Sequence, residues 1–303
     1  MAKQQTLMSE VTAQGVGLHL GEQTTVRLVP AEPNDGRYFV RTDLSGTLSG
    51  SQRIAAGVAN VIKTQLSTEL GAGEAQVRTV EHLLSALVAL DIDNVRIEMD
   101  GPELPLLDGS AKEWMSLLVS AEVQLQAAER DDGLAIAHPV SVQSDDAFVT
   151  AFPSSELRFT YGIDFELAAI GNQWHSWSPA NHNKNQSKAE SFAAEIAPAR
   201  TFGLAHQIDY LRSQNLIKGG SLENALVCGK DGWLNPPLRF DNEPARHKLL
   251  DLIGDLSLLG AIPQAHYVAY KASHALHVAL AKKLALLDAS SDNSFDNSSS
   301  KER

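Results

Sequence analysis

The segment 243–260, EPARHKLLDLIGDLSLLG, constrains the fold most, because its pattern predicts a helix that is buried on much of its circumference. Asn242 is a residue type that caps helices, Pro244 suits the first turn, and Gly260 supplies a stop. Leucine and isoleucine recur between these ends at helical spacing. A chain with such a helix needs other elements that cover it on several sides.

One stripe of this helix carries groups that can bind a metal. His247, Asp251 and Asp255 are spaced at i, i+4 and i+8, so their side chains project from the same face. One neutral nitrogen and one anionic oxygen at i and i+4 suit zinc, as two of three protein ligands. Ordinary capping and surface charge would explain the same residues, because H-x-x-x-D arises readily by chance in a chain with 10 His and 37 acidic residues.

Composition narrows the class of protein. The 303 residues suffice for one large domain or two of ordinary size, and we expect two. A hydrophobic fraction of 43% and a charged fraction of 20% are typical of a soluble globular protein. No run of about 18 apolar residues predicts a membrane span. The start, MAKQQTLMSEVTAQG, lacks the apolar core of a secretory signal, so we expect a cytoplasmic protein.

Charge and cysteine content exclude several functions. The net charge of −12 and the pI of about 5.3 argue against nucleic acid as the main partner. Cys228 is the only cysteine, which excludes an intramolecular disulfide and a thiolate cluster, so a zinc site must use histidine and carboxylate. We expect Cys228 itself to be an ordinary buried residue.

The chain divides into two halves with a similar order of elements. Each half has strands, then a helix with a histidine near its start, then a strand and a second helix, which predicts an α+β fold. The two histidines are His82 and His247, and the polar, turn-rich segment 126–133 separates the halves. The predicted units are a first α+β domain at residues 1–128, a second at 129–287, and a disordered tail at 288–303.

Several motifs recur in the order of a known family. They are GVGLHLG from Gly15, TVEHLLSAL from Thr79, IDNVRIEMDGPELPLLDGSA from Ile92, ARTFG from Ala199, KGGS from Lys218, RHKLLDLIGDL from Arg246 and YKASHALH from Tyr270. In these motifs the chain resembles the bacterial UDP-3-O-acyl-N-acetylglucosamine deacetylases, the zinc amidohydrolases of lipid A synthesis. The resemblance implies two similar βαβ-type domains, each a sheet packed on helices, with the active site between them.

The resemblance also implies which residues bind the metal and activate water. His82, His247 and Asp251 correspond to the zinc ligands, which leave a fourth position for water. Without the resemblance, His82 would be taken for a core or capping histidine. Glu81 corresponds to the general base, although a glutamate at a helix N-terminus would also stabilise the helix dipole.

The resemblance also implies roles for four further residues. His274 corresponds to the general acid or electrostatic stabiliser, and Asp255 to its carboxylate partner, which favours the imidazolium form. Thr201 corresponds to a residue that helps to stabilise the oxyanion, and Lys248 would supply positive charge for the diphosphate or the oxyanion. Taken alone, Asp255 would be a solvated acid, Thr201 part of a strand or loop, and Lys248 a surface lysine.

These assignments imply zinc-dependent hydrolysis of the N-acetyl group of UDP-3-O-(3-hydroxyacyl)-N-acetylglucosamine. Zinc activates the attacking water and polarises the amide carbonyl, Glu81 takes the proton, and His274 or Glu81 protonates the leaving nitrogen. Acetate and a free amine result. The alternatives are a hydrolase of the same architecture that acts on another N-acyl sugar nucleotide or small amide, and a binding or structural protein in which zinc only joins the two halves.

The family also has a passage for the acyl chain, which we expect between residues 202 and 222. The residues that would contribute are Phe202, Leu204, Ile208, Leu211, Leu216 and Ile217, beside the turn that contains Gly219. Core packing would explain the same apolar residues.

Overall fold

The computed structural model describes residues 2–44, 53–131, 133, 135–179 and 186–296, and these form an α+β fold, as predicted. The strands of the first half are β1 Lys3–Leu7, β2 Val11–Val16, β3 Gln23–Pro30, β4 Arg37–Arg41, β5 Arg53–Ala55, β6 Val61–Lys63, β7 Glu69–Ala72, β8 Ala75–Arg78, β9 Val95–Met99 and β10 Val123–Glu129. The helices of this half are α1 Glu81–Ala89 and α2 Lys112–Ser120, with 3-10 turns at Thr42–Leu44 and Val58–Asn60.

The second half has the same kinds of element. Its strands are β11 Val140–Ser144, β12 Ala147–Pro153, β13 Arg158–Asp164, β14 Asn172–Trp177, β15 Phe202–Leu204, β16 Leu226–Gly229, β17 Gly232–Trp233 and β18 Ala265–Tyr270. Its helices are α3 Lys188–Glu195, α4 Ile208–Ser213, α5 Glu243–Leu256 and α6 His274–Asp296, with 3-10 turns at Ala205–Gln207 and Ser257–Leu259.

Each half is built on a five-stranded sheet, and the two sheets have the same topology. The strand order is β2-β3-β9-β4-β5 in the first half and β11-β12-β18-β13-β14 in the second. In each sheet one pair is parallel, β4 with β9 and β13 with β18, whereas the other neighbours are antiparallel. A parallel pair needs a crossover connection, and the crossovers contain α1 and α5. The similarity of the two halves that the sequence predicted is therefore confirmed.

Smaller sheets complete each half. Strands β6-β7-β8 form a three-stranded sheet that precedes α1, and β15-β16-β17 form another that precedes α5. Strand β1 pairs with β10, which joins the two ends of the first half. The predicted boundary between residues 128 and 129 falls inside β10, and β11 begins at Val140.

The last helix extends beyond residue 287, the predicted end of the second domain. Helix α6 continues to Asp296, into the segment 288–303 that was predicted to be disordered, and residues 297–303 lie outside the described part of the chain. Among its described side chains, Leu284 is the last buried one, whereas Leu286 is 72% exposed. A helix satisfies its own backbone hydrogen bonds, so it can continue past the point where apolar packing ends.

Helices α1 and α5 pack against each other at the centre of the molecule. Every residue of α1 is buried, and α5 is buried on most of its circumference, as its sequence predicted. Both helices belong to one continuous apolar core that includes the inner faces of the two sheets. The start of α1 is thereby held against the middle of α5, although Glu81 and Glu243, which begin the two helices, lie far apart in the sequence.

The ends of α5 follow the sequence prediction in position but not in every contact. Asn242 occupies the N-cap position, Pro244 lies in the first turn, and Gly260 has the positive φ of 81° that ends the following 3-10 turn. The side chain of Asn242 does not cap the helix. Its oxygen accepts from Nε of Arg246, one turn further along the helix, at 2.7 Å, and its amide donates to the carbonyl of Trp174 at 2.9 Å, so one local and one tertiary bond replace the cap.

Two predictions from composition can also be compared with the structure. No helix in the described part combines the length and hydropathy that a membrane span requires. Cys228 is fully buried within β16, as expected.

Gly254 permits the close contact between α1 and α5. A Cβ atom at this position would lie 2.2 Å from the carbonyl oxygen of Glu81 and 2.8 Å from its carbonyl carbon. These are backbone atoms, so a side chain could be accommodated only if one helix moved. Because Glu81 and His82 begin α1, the spacing of the two helices also determines where these side chains lie.

We expect Gly254→Ala to destabilise the protein and to reduce activity. Alanine gains about 1 kcal/mol in helix propensity, but overpacking a core costs about 1–3 kcal/mol, and here the contact is with rigid backbone. We expect the free energy of unfolding to fall by about 2 kcal/mol. The resemblance implies that Glu81 is the general base, so its displacement should lower kcat at least about 10-fold. Chemical denaturation and turnover measure both effects.

Gly57→Ala is the matched control, because a Cβ at Gly57 meets no atom of the described residues within 4 Å and the backbone there is extended. Equal stability and equal turnover of G254A and wild type would show that the helix contact does not position the site.

Candidate metal centre and active site

Three side chains from the two central helices converge on one point. His82 lies at the start of α1, and His247 and Asp251 lie one turn apart on α5. Oδ1 of Asp251 is 3.7 Å from Nε2 of His82 and 3.5 Å from Nε2 of His247. The two imidazole rings meet edge to face with centroids 5.0 Å apart. Helical spacing on α5 brings His247 and Asp251 together, and the packing of α1 on α5 adds His82.

Neighbouring groups leave the converging atoms free to bind a cation. Nδ1 of His247 donates to the carbonyl of Ala199 at 3.1 Å, which leaves the lone pair of a neutral ring on Nε2. Nζ of Lys248 donates to Oδ2 of Asp251 at 2.7 Å. The other oxygen, Oδ1, is buried and has no hydrogen-bond partner within the described part of the chain. A buried carboxylate oxygen without a hydrogen-bond partner among the described residues, between two imidazole nitrogens, can hold a divalent metal ion.

The protonation states also favour a metal. Burial, together with the neighbouring imidazole of His247, lowers the pKa of His82 to about 3, and burial lowers the pKa of His247. Both rings are therefore neutral, as a metal ligand requires. Burial alone would raise the pKa of Asp251, but the Lys248 ammonium and the nearby imidazoles outweigh it and hold that pKa well below its usual range. Asp251 is consequently an anion.

Glu81 lies beside this cluster with its carboxylate turned toward His274. Its Oε1 is 3.9 Å from Nε2 of His274, and its Oε2 accepts from the backbone N–H of Thr68 at 3.2 Å. Burial raises the pKa of Glu81 to about 7, because the attraction of His274 is smaller than the cost of desolvation and the repulsion of Asp255 and Asp251. A carboxyl group with this pKa can both accept and return a proton near neutral pH.

His274 and Asp255 form a buried pair on the other side of Glu81. Nδ1 of His274 donates to Oδ2 of Asp255 at 2.8 Å, and Oγ1 of Thr68 donates to Oδ1 of the same carboxylate at 2.5 Å. Burial opposes the charged form of His274, but Asp255 outweighs it and raises the pKa of His274 to about 9. Burial would raise the pKa of Asp255, yet His274 and His277 lower it to about 2. These shifts favour an imidazolium on His274 and a carboxylate on Asp255.

A cleft of about 300 Å³ brings most of the predicted catalytic residues together. Nε2 of His274 faces the candidate metal ligands, 3.8 Å from Oδ2 of Asp251. Thr201 reaches the wall because its N–H donates to the carbonyl of Gly109 at 2.7 Å. The predicted residues that line the cleft are Glu81, His82, Thr201, His247, Lys248, Asp251 and His274. Asp255 lies behind His274 and is fully buried.

A second, more apolar cavity of about 300 Å³ adjoins the cleft. The two cavities share wall residues, among them Leu18, Phe202 and Leu204. The residues predicted for an acyl passage that line the second cavity are Phe202, Leu204, Ile208, Leu211 and Ile217. Leu216 is buried elsewhere in the core.

Gly219 is not among the residues that line either cavity. Its N–H donates to the carbonyl of Leu18, and a Cβ at this position would lie 2.2 Å from the carbonyl oxygen of Gly17. The KGGS turn and the GVGLHLG loop therefore touch through their backbones. Glu103 holds the same loop from the other side, because its carboxylate accepts from the N–H groups of His19 and Leu20. Gly219 therefore lets the KGGS turn pack closely against the GVGLHLG loop, whose Leu18 lines the cavity.

Three further residues of the site, Thr68, His277 and Tyr161, were not predicted from the sequence. Thr68 contacts both Glu81 and Asp255, and nothing in its surrounding sequence indicates this, because the contacts come from tertiary packing. His277 donates from Nδ1 to Oδ2 of Asp255 at 2.8 Å. Its spacing of i+3 from His274 on α6 could have indicated that both histidines share a face. Tyr161, on β13, contacts His277 through its hydroxyl group.

Comparison of the amino-acid sequence with known proteins shows which family the chain matches. Residues 4–286 match the model of the family described as UDP-3-O-acyl N-acetylglycosamine deacetylase, LpxC. The UDP-3-O-acyl-N-acetylglucosamine deacetylase of Nostoc sp. PCC 7120 is 59% identical over 288 residues, which cover 94% of this chain and 99% of the relative. That of Synechocystis sp. PCC 6803 is 54% identical over 281 residues, 92% and 98% of the two chains. A probable mitochondrial deacetylase of Arabidopsis thaliana is 45% identical over 304 residues, 93% and 88% of the two chains.

Proposed function

The chain belongs to the UDP-3-O-acyl N-acetylglycosamine deacetylase family, and from this premise we propose that it hydrolyses the N-acetyl group of a UDP-3-O-acyl-N-acetylglucosamine, as a cytoplasmic step of lipid A biosynthesis. The products are acetate and the free amine. The observation that carries the proposal is the unpartnered Oδ1 of Asp251 between two neutral imidazoles, next to a carboxylate and an imidazolium that can move protons.

The cofactor in this proposal is Zn²⁺. His82 and His247 would hold it through Nε2 and Asp251 through Oδ1, because these three donor atoms are buried, converge and are in the required protonation states. When bound, zinc supplies a Lewis acid that polarises a carbonyl group and makes water more acidic. The donor set of two histidines and one carboxylate is that of a catalytic rather than a structural zinc site.

Glu81 is the general base of the proposed reaction. Its carboxylate lines the cleft beside the ligand His82, and the N–H of Thr68 fixes one of its oxygens, so the other is available to the attacking water. Burial places its pKa at about 7, close to the pH at which proton transfer must occur in both directions. The proton that Glu81 accepts can be returned to the leaving nitrogen.

His274 and Thr201 act on the charge that develops on the substrate. The Nδ1 of His274 donates to Asp255, so its protonated Nε2 points toward the cleft, where it can stabilise the oxyanion or protonate the leaving nitrogen. Thr201 offers a hydroxyl group in the cleft wall. Lys248 lies at the same wall and contributes positive charge, part of which neutralises Asp251.

The apolar cavity is the proposed passage for the acyl chain. Its walls come from β15, the following 3-10 turn and α4, which together form a hydrophobic surface next to the catalytic cleft. A fatty acyl chain bound there would place the attached sugar at the cleft.

Substitution of Ile217 tests the passage. Ile217 has a φ of 51°, which is unfavourable for a β-branched residue but tolerated by Asp and Asn, so Ile217→Asp should fold. We expect I217D to lower kcat/KM about 10-fold or more for a long acyl chain, because the chain would meet a charge, and to change it little for a short one. Ile217→Asn has the same shape without the charge and should lose less. A loss that does not depend on acyl length would remove the passage from the proposal.

Acetate release from a UDP-3-O-acyl-N-acetylglucosamine tests the function as a whole. The assay compares protein as purified, protein after chelation and protein after zinc readdition. We expect release to stop with the chelator and to return with zinc. Folded, zinc-loaded protein without turnover on this substrate, but with turnover on another N-acyl sugar nucleotide or a small amide, would replace the substrate. Zinc binding with no turnover on any of them would indicate a structural site.

A further inference from the structure

We propose that His277 is a positioning residue that, by donating from Nδ1 to Oδ2 of Asp255, holds the carboxylate that orients His274 in the cleft. The inference rests on the proposed deacetylase function and deepens it. His277 is fully buried and does not line the cleft, so it acts through Asp255 and not on the substrate.

The carboxylate of Asp255 is held by three donors. Oγ1 of Thr68 donates to Oδ1 at 2.5 Å, and the Nδ1 groups of His274 and His277 both donate to Oδ2 at 2.8 Å. Asp255 is fully buried, so water cannot replace a missing donor at low cost. With two imidazoles on one oxygen and a hydroxyl group on the other, the carboxylate is fixed against rotation about its Cβ–Cγ bond.

The orientation of His274 depends on that oxygen. Nδ1 of His274 lies 2.8 Å from Oδ2 of Asp255 and 3.5 Å from Oγ1 of Thr68, so Asp255 is its principal partner on this side. The opposite ring nitrogen, Nε2, lies 3.9 Å from Glu81 and 3.8 Å from Asp251. A rotation of the Asp255 carboxylate would therefore move Nε2 relative to the reacting groups.

His277 is itself anchored to the second sheet. Its Nε2 lies 3.0 Å from the hydroxyl oxygen of Tyr161, which also lies 2.6 Å from the carbonyl oxygen of Ala272, and the single hydroxyl hydrogen is donated to one of these two acceptors at a time. Tyr161 is fully buried on β13, where strands β14 and β18 pair with it on both sides. The rings of Tyr161 and His277 meet edge to face at 5.7 Å. A continuous set of close polar contacts thus runs from a central strand through His277 and Asp255 to His274.

Packing alone does not explain a histidine here. An imidazole buried at this depth costs free energy unless both nitrogens have partners, whereas an apolar side chain would fill the space without that cost. His274 and His277 lie one helical turn apart on α6, with ring centroids 5.8 Å apart, so both project toward α5. The helix therefore presents one imidazole to the cleft and a second one behind it to the same carboxylate.

Two variants separate the donor from the rest of the side chain. His277→Asn keeps an N–H at the position of Nδ1, because the amide nitrogen and Nδ1 are equally far from the backbone in bonds. His277→Leu has a similar shape but no donor. Both variants lose the contact with Tyr161, and only H277L also loses the donor to Asp255, so a difference in kcat between the two, compared at the same folded fraction, reports on the bond to Asp255.

We expect H277L to lower kcat about 10- to 100-fold with KM within about threefold of wild type, the effect of losing a hydrogen bond to a charged group. H277N should retain kcat within about threefold. Bound zinc, measured by elemental analysis, should be unchanged in both. H277L with wild-type kcat, or H277N impaired as much as H277L, would overturn the proposal.

Two further measurements keep the test decisive. Tyr161→Phe should lower kcat several-fold at constant KM even if H277L does not fold, and an unchanged kcat would overturn the anchoring role. Proton NMR should show two strongly downfield Nδ1–H signals in wild type and the loss of one in H277L, with a shift of the other. These signals do not need turnover, so an inactive wild type would contradict the proposed function while the spectra still decide the role of His277.

Discussion

Replacement of Glu81 with glutamine lowers kcat by about 10²- to 10⁴-fold while the protein keeps its zinc, if Glu81 is the general base. Glutamine has nearly the same shape and preserves an oxygen that can accept from Thr68, but it cannot take a proton from water. The measurements are steady-state deacetylation and zinc content of the purified variant.

Glu113→Gln provides the matched control for this experiment. Glu113 lies in the first turn of α2, as Glu81 lies in the first turn of α1, but it is exposed and does not line the cleft. If Glu81 only stabilised its helix dipole, both substitutions would have similar small effects on stability and none on turnover. E81Q with wild-type kcat would rule out the base assignment.

The raised pKa of Glu81 also contributes to the dependence of the metal-free protein's stability on pH. Burial raises this pKa from 4.5 to about 7, so the folded state binds a proton more tightly than the unfolded state. The stability that this proton contributes is fully present below pH 4.5 and is lost as the pH rises through 7. E81Q lacks the titration, so its stability relative to metal-free wild type should increase over that interval. Denaturation at pH 4.5, 6 and 8 checks the direction.

Replacement of Asp251 with alanine abolishes stable zinc binding and, with it, turnover. The substitution removes the only anionic ligand from the set and leaves Lys248 without its partner beside two imidazoles. Loss of an outer partner of a metal ligand typically weakens binding 10- to 100-fold, so loss of the ligand itself should weaken it by more than about 100-fold. Zinc titration in a competing chelator measures the affinity, and acetate release measures the consequence.

Asp255→Ala is the control for Asp251→Ala, because it shows whether zinc is lost when any carboxylate of this stripe of α5 is removed or only when a metal ligand is removed. Asp255 lies one turn further along the same stripe of α5 and is equally buried, yet its oxygens are bonded to Thr68, His274 and His277. We expect D255A to retain zinc and to lose turnover. If D251A bound zinc as tightly as wild type, Asp251 would not be a ligand, and the metal centre would need other donors.

Much of the fold could be predicted from the sequence, because local patterns specify it. The spacing of apolar residues in α5, the proline in its first turn and Gly260 after its end gave the observed helix, and the repeated order of elements indicated two similar halves. Asn242 occupies the N-cap position that its residue type indicates, but its side chain bonds to Arg246, one turn into the helix, and to Trp174, a partner that only the folded chain supplies.

The candidate site could be predicted only in part. His247 and Asp251 follow from helical spacing, whereas His82, Glu81 and His274 were assigned through the resemblance of short motifs to a family. Thr68 and the carbonyl of Ala199 were not predicted at all, because any residue with a hydroxyl group or a backbone oxygen looks the same in a sequence. Their roles arise from the atoms that packing places beside them.

The sequence by itself determined the elements and the chemical inventory: a buried helix that carries His247, Asp251 and Asp255 on one stripe, a pair of similar α+β halves, and no thiolate ligands. Only the tertiary structure decided that these groups form one centre. Gly254 lets α1 approach α5 until His82 reaches Asp251, and α6 brings His274 and His277 to Asp255. The physical reason is that helical periodicity extends over a few residues, whereas a metal site needs donors from separate segments, whose distances depend on how the helices pack.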